Sequence, residues 1–131
     1  MKHFVLDTSM LIGLFFDTEP FANKVATRFF LQIETGNHKA DLSLLILSNL
    51  IDLLENQNEL RRQDFVPELC DLISLKGIRV IELKKSDCVF VLRQYERSRF
   101  TFRQCYILWL VEQQHLAIAS TVRQLTNYRS K

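Results

Sequence analysis

Glycine, proline and cysteine are all scarce in this sequence. Only 3 of its 131 residues are glycine and 2 are proline, which excludes a collagen-like or low-complexity chain and disfavours a turn-rich β-sandwich. The three cysteines, Cys70, Cys88 and Cys105, form no C-x-x-C pair, and the three histidines are scattered. A zinc ribbon, a dithiol redox motif and a disulfide framework are therefore not expected.

Long hydrophobic runs are also missing. Asp7 interrupts the apolar N-terminal stretch, and the longest other run, Cys105 to Val111, has only seven residues. A membrane span needs about 20, and a signal peptide needs an unbroken apolar segment followed by a small-residue cleavage site. We expect a cytoplasmic protein that does not bind a membrane.

Charge is distributed unevenly along the chain. Residues 1–83 hold 8 Lys/Arg and 12 Asp/Glu, whereas residues 84–131 hold 9 and 3. A group of four arginines falls within eleven residues: Arg93, Arg97, Arg99 and Arg103. Such a basic patch suits nucleic-acid binding, and it is equally typical of a solvated helix face. We predict that these four arginines bind RNA.

Short apolar strands alternate with helical patterns along the chain. The patterns predict strands over 4–6, 40–42, 78–83 and 116–119, and helices over about 8–16, 21–35, 44–56, 65–76, 86–95, 101–114 and 121–127. Expected helix N-caps are Ser43, Asp64, Ser86 and Thr101, the last in a capping box with Gln104, and the expected helix stops are Gly36 and Gly77. Alternation of this kind predicts an α/β fold: one domain over residues 1–131, a three-layer α/β/α sandwich with a short parallel sheet of about four strands.

Asp7 comes directly after the first predicted strand. In parallel sheets, ligands bind beyond the carboxyl ends of the strands. A carboxylate at this point can hold a metal ion, serve as a nucleophile or cap the helix that follows. The residue type alone leaves these roles open.

Four segments together resemble the PIN-domain family, the fold of VapC-type toxin ribonucleases. They are Phe4–Ile12, Asp41–Leu50, Phe100–Cys105 and Ala119–Leu125. The resemblance covers the whole chain and implies a PIN-like fold. It also implies a Mg- or Mn-dependent endoribonuclease, the toxin of a toxin–antitoxin pair, that dimerises and receives an antitoxin segment in a groove.

The sequence departs from this family at three of its four acidic positions. Asp7 matches the first, but Asn49 stands where the family has Glu, Gln104 where it has Asp, and Val122 where Asp is common. We predict that Asp7, Asn49 and Gln104 meet at one end of the sheet, with Val122 nearby, as a vestigial catalytic site. A single carboxylate supplies little charge for a hard cation. We therefore expect no cofactor, and at most weak metal binding at Asp7.

Three functions remain open from the sequence. The first is a non-catalytic member that binds RNA or a protein, such as an antitoxin-like segment. The second is an active endoribonuclease with an unusual ligand set, which would use Mg or Mn. The third is a protein assembly module whose working surface is the aromatic N-terminal third, which includes Phe15, Phe16, Phe21, Phe29 and Phe30. We expect a homodimer in each case.

Overall fold

A four-stranded parallel sheet forms the centre of the structure. The computed structural model describes residues 2–16, 20–56, 60–114 and 116–120. The strands are β1 (Lys2–Leu6), β2 (His38–Ser43), β3 (Ile78–Ile81) and β4 (Ala117–Ala119), in the order β3-β2-β1-β4. Every pair is parallel. The predicted α/β fold with about four parallel strands is therefore confirmed.

Six described helices cover the sheet: α1 (Thr8–Phe15), α2 (Pro20–Glu34), α3 (Leu44–Glu55), α4 (Arg62–Ile73), α5 (Lys85–Arg97) and α6 (Phe102–Gln114). Phe4 of β1 packs edge-on against Phe29 of α2, with ring centroids 5.0 Å apart. Tyr106 of α6 lies near Asp41 and Ser43 of β2. Successive residues of a strand point to opposite faces of the sheet, so these two side chains point to the face opposite to that of Phe4. The sheet thus lies between two helical layers, as predicted.

Most predicted helix boundaries agree with the structure. Ser43 caps α3 by accepting a hydrogen bond from the Leu45 N–H at 3.2 Å. Gly36 follows α2 with a φ of 86°, a conformation that glycine adopts without steric cost. The predicted turn over 121–127 lies outside the described residues. No helix in the described part of the chain is long and apolar enough to cross a membrane.

The prediction for α4 was wrong at both ends. The helix begins at Arg62 with Arg61 as its N-cap, so Asp64 lies in the first turn instead of capping it. Pro67 consequently lies inside the helix, although it was expected in the first turn. The helix ends at Ile73, and Gly77 instead precedes β3.

The predicted start of α5 was also wrong. Lys84 is the N-cap, and Ser86 lies one residue inside the helix. The Lys84 N–H donates a hydrogen bond to Asp87 Oδ2 at 3.3 Å. In both α4 and α5, an aspartate three residues after the N-cap marks the start of the helix. A negative charge there is stabilised by the positive end of the helix dipole.

Candidate active site at the end of strand β1

Asp7 is completely buried where β1 ends and α1 begins. Its Oδ2 accepts hydrogen bonds from Ser9 Oγ at 2.7 Å and Ser120 Oγ at 2.9 Å, and more weakly from the Ser9 N–H at 3.4 Å. Its own N–H donates to the Ala119 carbonyl at 3.0 Å. Asp7 is therefore the N-cap of α1 and also joins the ends of β1 and β4.

The other oxygen of the Asp7 carboxylate faces an arginine. Arg103 Nε lies 3.6 Å from Asp7 Oδ1, and Arg103 Nη1 donates a hydrogen bond to Asn49 Oδ1 at 3.1 Å. The three residues come from the end of β1, the middle of α3 and the first turn of α6. The structure thus brings Asp7 and Asn49 to one place, with a guanidinium group between them.

Gln104 has a different environment. Its Oε1 accepts a hydrogen bond from the Thr101 N–H at 3.0 Å, and its N–H donates to Thr101 Oγ1 at 3.1 Å. These two contacts are the predicted capping box of α6. They leave Gln104 with no hydrogen bond to Asp7 or Asn49 among the described residues. Val122, the fourth predicted position, lies outside those residues.

These side chains do not fit a divalent cation. Mg²⁺ binds anionic oxygens and water in a near-ideal octahedron at about 2.0–2.1 Å. Within the described part of the chain the site offers one carboxylate, whose Oδ1 faces a positive charge, while the amide oxygens of Asn49 and Gln104 already accept hydrogen bonds. No group of three His, Cys, Asp or Glu side chains in the described ranges could hold a metal ion.

The four arginines of the predicted RNA-binding patch are not equivalent. Arg93 and Arg97 are exposed on α5, and Arg99 is exposed in the loop that follows. The Arg103 side chain is only 29% exposed and points to Asp7. Three of the arginines therefore face solvent. The fourth belongs to the group of Asp7, Asn49 and Arg103, which we call the centre.

A second buried carboxylate, Asp41, lies in the middle of the sheet. Arg79 on β3 donates to both of its oxygens, from Nε at 3.1 Å and from Nη2 at 2.7 Å, and His3 Nε2 on β1 lies 2.7 Å from Oδ1. The hydrogen bond and the charge of Asp41 raise the pKa of Arg79 above its ordinary value. This cluster joins three neighbouring strands and lies away from their carboxyl ends.

Sequence reasoning missed the hydroxyl groups of Ser9 and Ser120 and the contact between Arg103 and Asp7. Both serines lie inside family-like segments, each two residues from a position compared with the acidic residues of the family: Ser9 from Asp7, and Ser120 from Val122. Arg103 is the residue immediately before the third acidic position of the family. A positive charge next to a position where the family has an acid was the sequence signal that could have indicated the contact with Asp7.

Comparison by sequence finds no matching family model and no matching curated protein. Comparison of structures finds VapC20 of Mycobacterium tuberculosis, described as a toxin that cleaves the sarcin–ricin loop, with a TM-score of 0.72 and 12% identity. That match covers 94% of this chain and 92% of the toxin. PAE2754 of Pyrobaculum aerophilum matches with a TM-score of 0.63 and 17% identity, over 95% of this chain and 82% of that one. The order of the strands, the strand-end aspartate and these structural likenesses together identify the fold of this chain as the PIN-like fold of VapC toxins.

Proposed function

We propose that this chain is a PIN-fold protein that binds RNA without cleaving it. The observation that carries the proposal is the charge of the centre, where the single carboxylate of Asp7 is paired with Arg103 beside the uncharged Asn49. Metal-dependent hydrolysis of a phosphodiester uses divalent cations to stabilise charge and to activate water. An amide side chain cannot replace a carboxylate as a general base.

The exposed arginines supply the attraction for phosphate. Arg93 and Arg97 are four residues apart on α5 and therefore share one helix face, and Arg99 lies two residues after the end of the helix. A chain of phosphates on this surface would release counterions, which makes binding dependent on salt. Because the Asp7 carboxylate is paired with Arg103, this centre also repels phosphate less than a site with four unpaired carboxylates would.

The structural likeness to VapC20 suggests an RNA hairpin with the sarcin–ricin loop sequence as the probe, beside an unstructured RNA of equal length. Binding is measured by fluorescence anisotropy in EDTA at several salt concentrations. We expect binding by the wild-type protein, and a triple variant Arg93→Ala/Arg97→Ala/Arg99→Ala that binds more weakly. Removal of one arginine–phosphate pair should lower the salt slope by roughly 0.7–0.9.

A control variant removes two cations from the other helical layer, whereas the triple variant removes three. Lys24 and Arg28 are exposed on α2, and the variant Lys24→Ala/Arg28→Ala should bind RNA as tightly as the wild type. If the α5 variant and the wild type bind RNA equally, or if neither binds, the arginine surface has no role in RNA binding and this proposal fails.

Cleavage is tested separately. Wild type and Asp7→Ala are incubated with both RNAs in Mg²⁺ or Mn²⁺, and the products are separated on a denaturing gel. We expect intact RNA in every lane. Cleavage by the wild type that disappears in Asp7→Ala would show an active endoribonuclease and overturn the proposal.

A cleft beside α2 favours a second candidate function, the binding of an acidic amphipathic protein segment. The cleft has a volume of ≈ 350 Å³, with Phe21, Val25 and Phe29 in its lining and the cations Lys24 and Arg28 among its other residues. An antitoxin-like helix with one apolar and one acidic face complements this chemistry. A synthetic peptide of that kind should bind the wild type, and Lys24→Glu/Arg28→Glu should abolish its binding. Equal binding by the two proteins would exclude this cleft.

A further inference from the structure

The Arg103 guanidinium lies between Asp7 and Asn49. Asp7 Oδ1 and Arg103 Nε are both buried, and within the described residues neither makes a hydrogen bond. The two atoms face each other at 3.6 Å. The opposite oxygen of the carboxylate is held by the hydroxyls of Ser9 and Ser120. The only positive charge in contact with Asp7 among the described residues is therefore that of Arg103.

A nearby cation stabilises a buried ionised carboxylate, because the carboxylate has lost its interactions with water and hydrogen bonds replace them only in part. A divalent metal ion meets this need in a metal-dependent nuclease. We infer that the Arg103 guanidinium meets it here: Arg103 is a permanent internal counterion that closes the Asp7 site to divalent cations. This inference does not rest on RNA binding, because its tests measure stability and metal affinity.

The chemistry of arginine suits this position. Its planar group donates from several nitrogens in fixed directions, and here one edge faces Asp7 while Nη1 binds the Asn49 amide oxygen. Asn49 accepts that hydrogen bond without adding charge, so the centre holds one carboxylate and one guanidinium. A glutamate at position 49 would leave an excess negative charge. The uncharged Asn49 and the positive Arg103 together therefore keep the centre neutral around Asp7.

The first test is a double-mutant cycle by urea unfolding in EDTA. Asp7→Asn keeps a good helix cap but removes the charge, and Arg103→Gln removes the counterion. Arg103→Gln alone leaves Asp7 buried and unpaired, whereas the double variant has no charge at either position of this pair. We expect the double variant to be more stable than the two single effects predict, by a factor of about 5–30 in the folding equilibrium constant. Additive effects would overturn the inference.

The second test measures Mn²⁺ and Mg²⁺ binding by calorimetry and by the shift in melting temperature. The wild type should show no binding that depends on Asp7. Asn49→Glu alone should bind metal only weakly, because Arg103 still neutralises one of the two carboxylates, whereas Asn49→Glu/Arg103→Ala should bind Mn²⁺ at least about tenfold more tightly. Arg28→Ala on α2 removes an equal charge and should give no metal response.

Two results would overturn the inference in the metal experiment. One is metal binding by the wild type that Asp7→Asn abolishes. The other is equal metal affinity of Asn49→Glu with and without Arg103. If Arg103→Ala variants do not fold, the wild-type titration and the cycle with Arg103→Gln still decide the question. Loss of RNA binding in the α5 variants leaves both outcomes unchanged, so a failure of the proposed RNA binding is distinguishable from a failure of this inference.

Discussion

Among the described residues, two aspartates, Asp7 and Asp41, are fully buried, and each lies against an arginine. Asp7 is at the strand end, where one oxygen is held by two hydroxyls and the other faces Arg103. Asp41 is in mid-sheet, and Arg79 binds both of its oxygens. The first pair lies where ligands bind in parallel sheets, and the second joins strands.

The contact between Arg79 and Asp41 should stabilise the sheet. We expect Arg79→Ala to lower the free energy of unfolding by about 1–3 kcal/mol. The figure is below the usual range for a broken buried pair, because the Arg79 side chain is 60% exposed and His3 remains in contact. Arg61→Ala is the control, since Arg61 and Asp64 form an exposed pair of a kind typically worth under about 1 kcal/mol. Equal losses in urea unfolding would contradict the prediction.

Tyr106 should make the protein sensitive to alkali. Burial is the main cause that raises its pKa above the ordinary value of 10.0, and the charge of Asp87 adds to the rise. Above pH 10 the unfolded chain loses the phenolic proton while the folded chain keeps it. Stability therefore falls with rising pH, by up to about 1.4 kcal/mol per unit from this group.

The variant Tyr106→Phe removes this contribution. Its stability should decline less steeply than that of the wild type above pH 10, and the two proteins should differ by less than about 1 kcal/mol at neutral pH. Tyr95, which is exposed on α5, provides the control Tyr95→Phe, which should follow the wild type. Parallel stability curves of wild type and Tyr106→Phe up to pH 11 would contradict the prediction.

At the scale of elements, the start of α6 decides how Gln104 should be interpreted. Its amide group completes the capping box with Thr101, so its loss should affect the helix and not a metal site. We expect Gln104→Ala to reduce stability by about 0.5–1 kcal/mol, equally in Mg²⁺ and in EDTA. Ser86→Ala on α5 should have little effect, because Ser86 is not the cap. A Gln104 effect that appears only with metal would contradict this interpretation.

The helix starts show which N-caps could be predicted from the sequence and which could not. Ser43 and Thr101 were correctly predicted as caps because a hydroxyl residue comes directly before an apolar helix. At α4 and α5 the N-caps are Arg61 and Lys84, whose side chains make no capping hydrogen bond. Residue type therefore shifted both predictions into the first turn. A cationic N-cap gives no signal in itself, and the signal for these two helix starts is the aspartate three residues later, Asp64 in α4 and Asp87 in α5.

At the scale of the whole molecule, the alternation of strands and helices was enough to predict the parallel sheet and the position of Asp7. The neighbours of Asp7 were harder to predict, because they depend on how α6 is rotated about its axis. Consecutive residues on a helix differ in direction by about 100°, and α6 buries residues on most of its sides, among them Cys105, Tyr106, Ile107 and Leu108. Its periodicity could not determine whether Arg103 or Gln104 points to Asp7.

The exposed apolar surface of α5 is the expected interface of the homodimer. Large apolar side chains are exposed along this helix: Val89, Phe90, Leu92 and Tyr95, at 50, 54, 54 and 48%. A concentration of exposed apolar surface on one element is typical of an interface, and Val89 and Leu92 share a face. We expect a dimer at micromolar concentration in analytical ultracentrifugation, and Val89→Glu/Leu92→Glu should raise its dissociation constant at least about 100-fold. Leu31, equally exposed on α2 at 52%, gives the control Leu31→Glu, which should remain dimeric. A wild-type monomer at about 100 μM, or a dimer broken only by Leu31→Glu, would exclude α5 as the dimer interface.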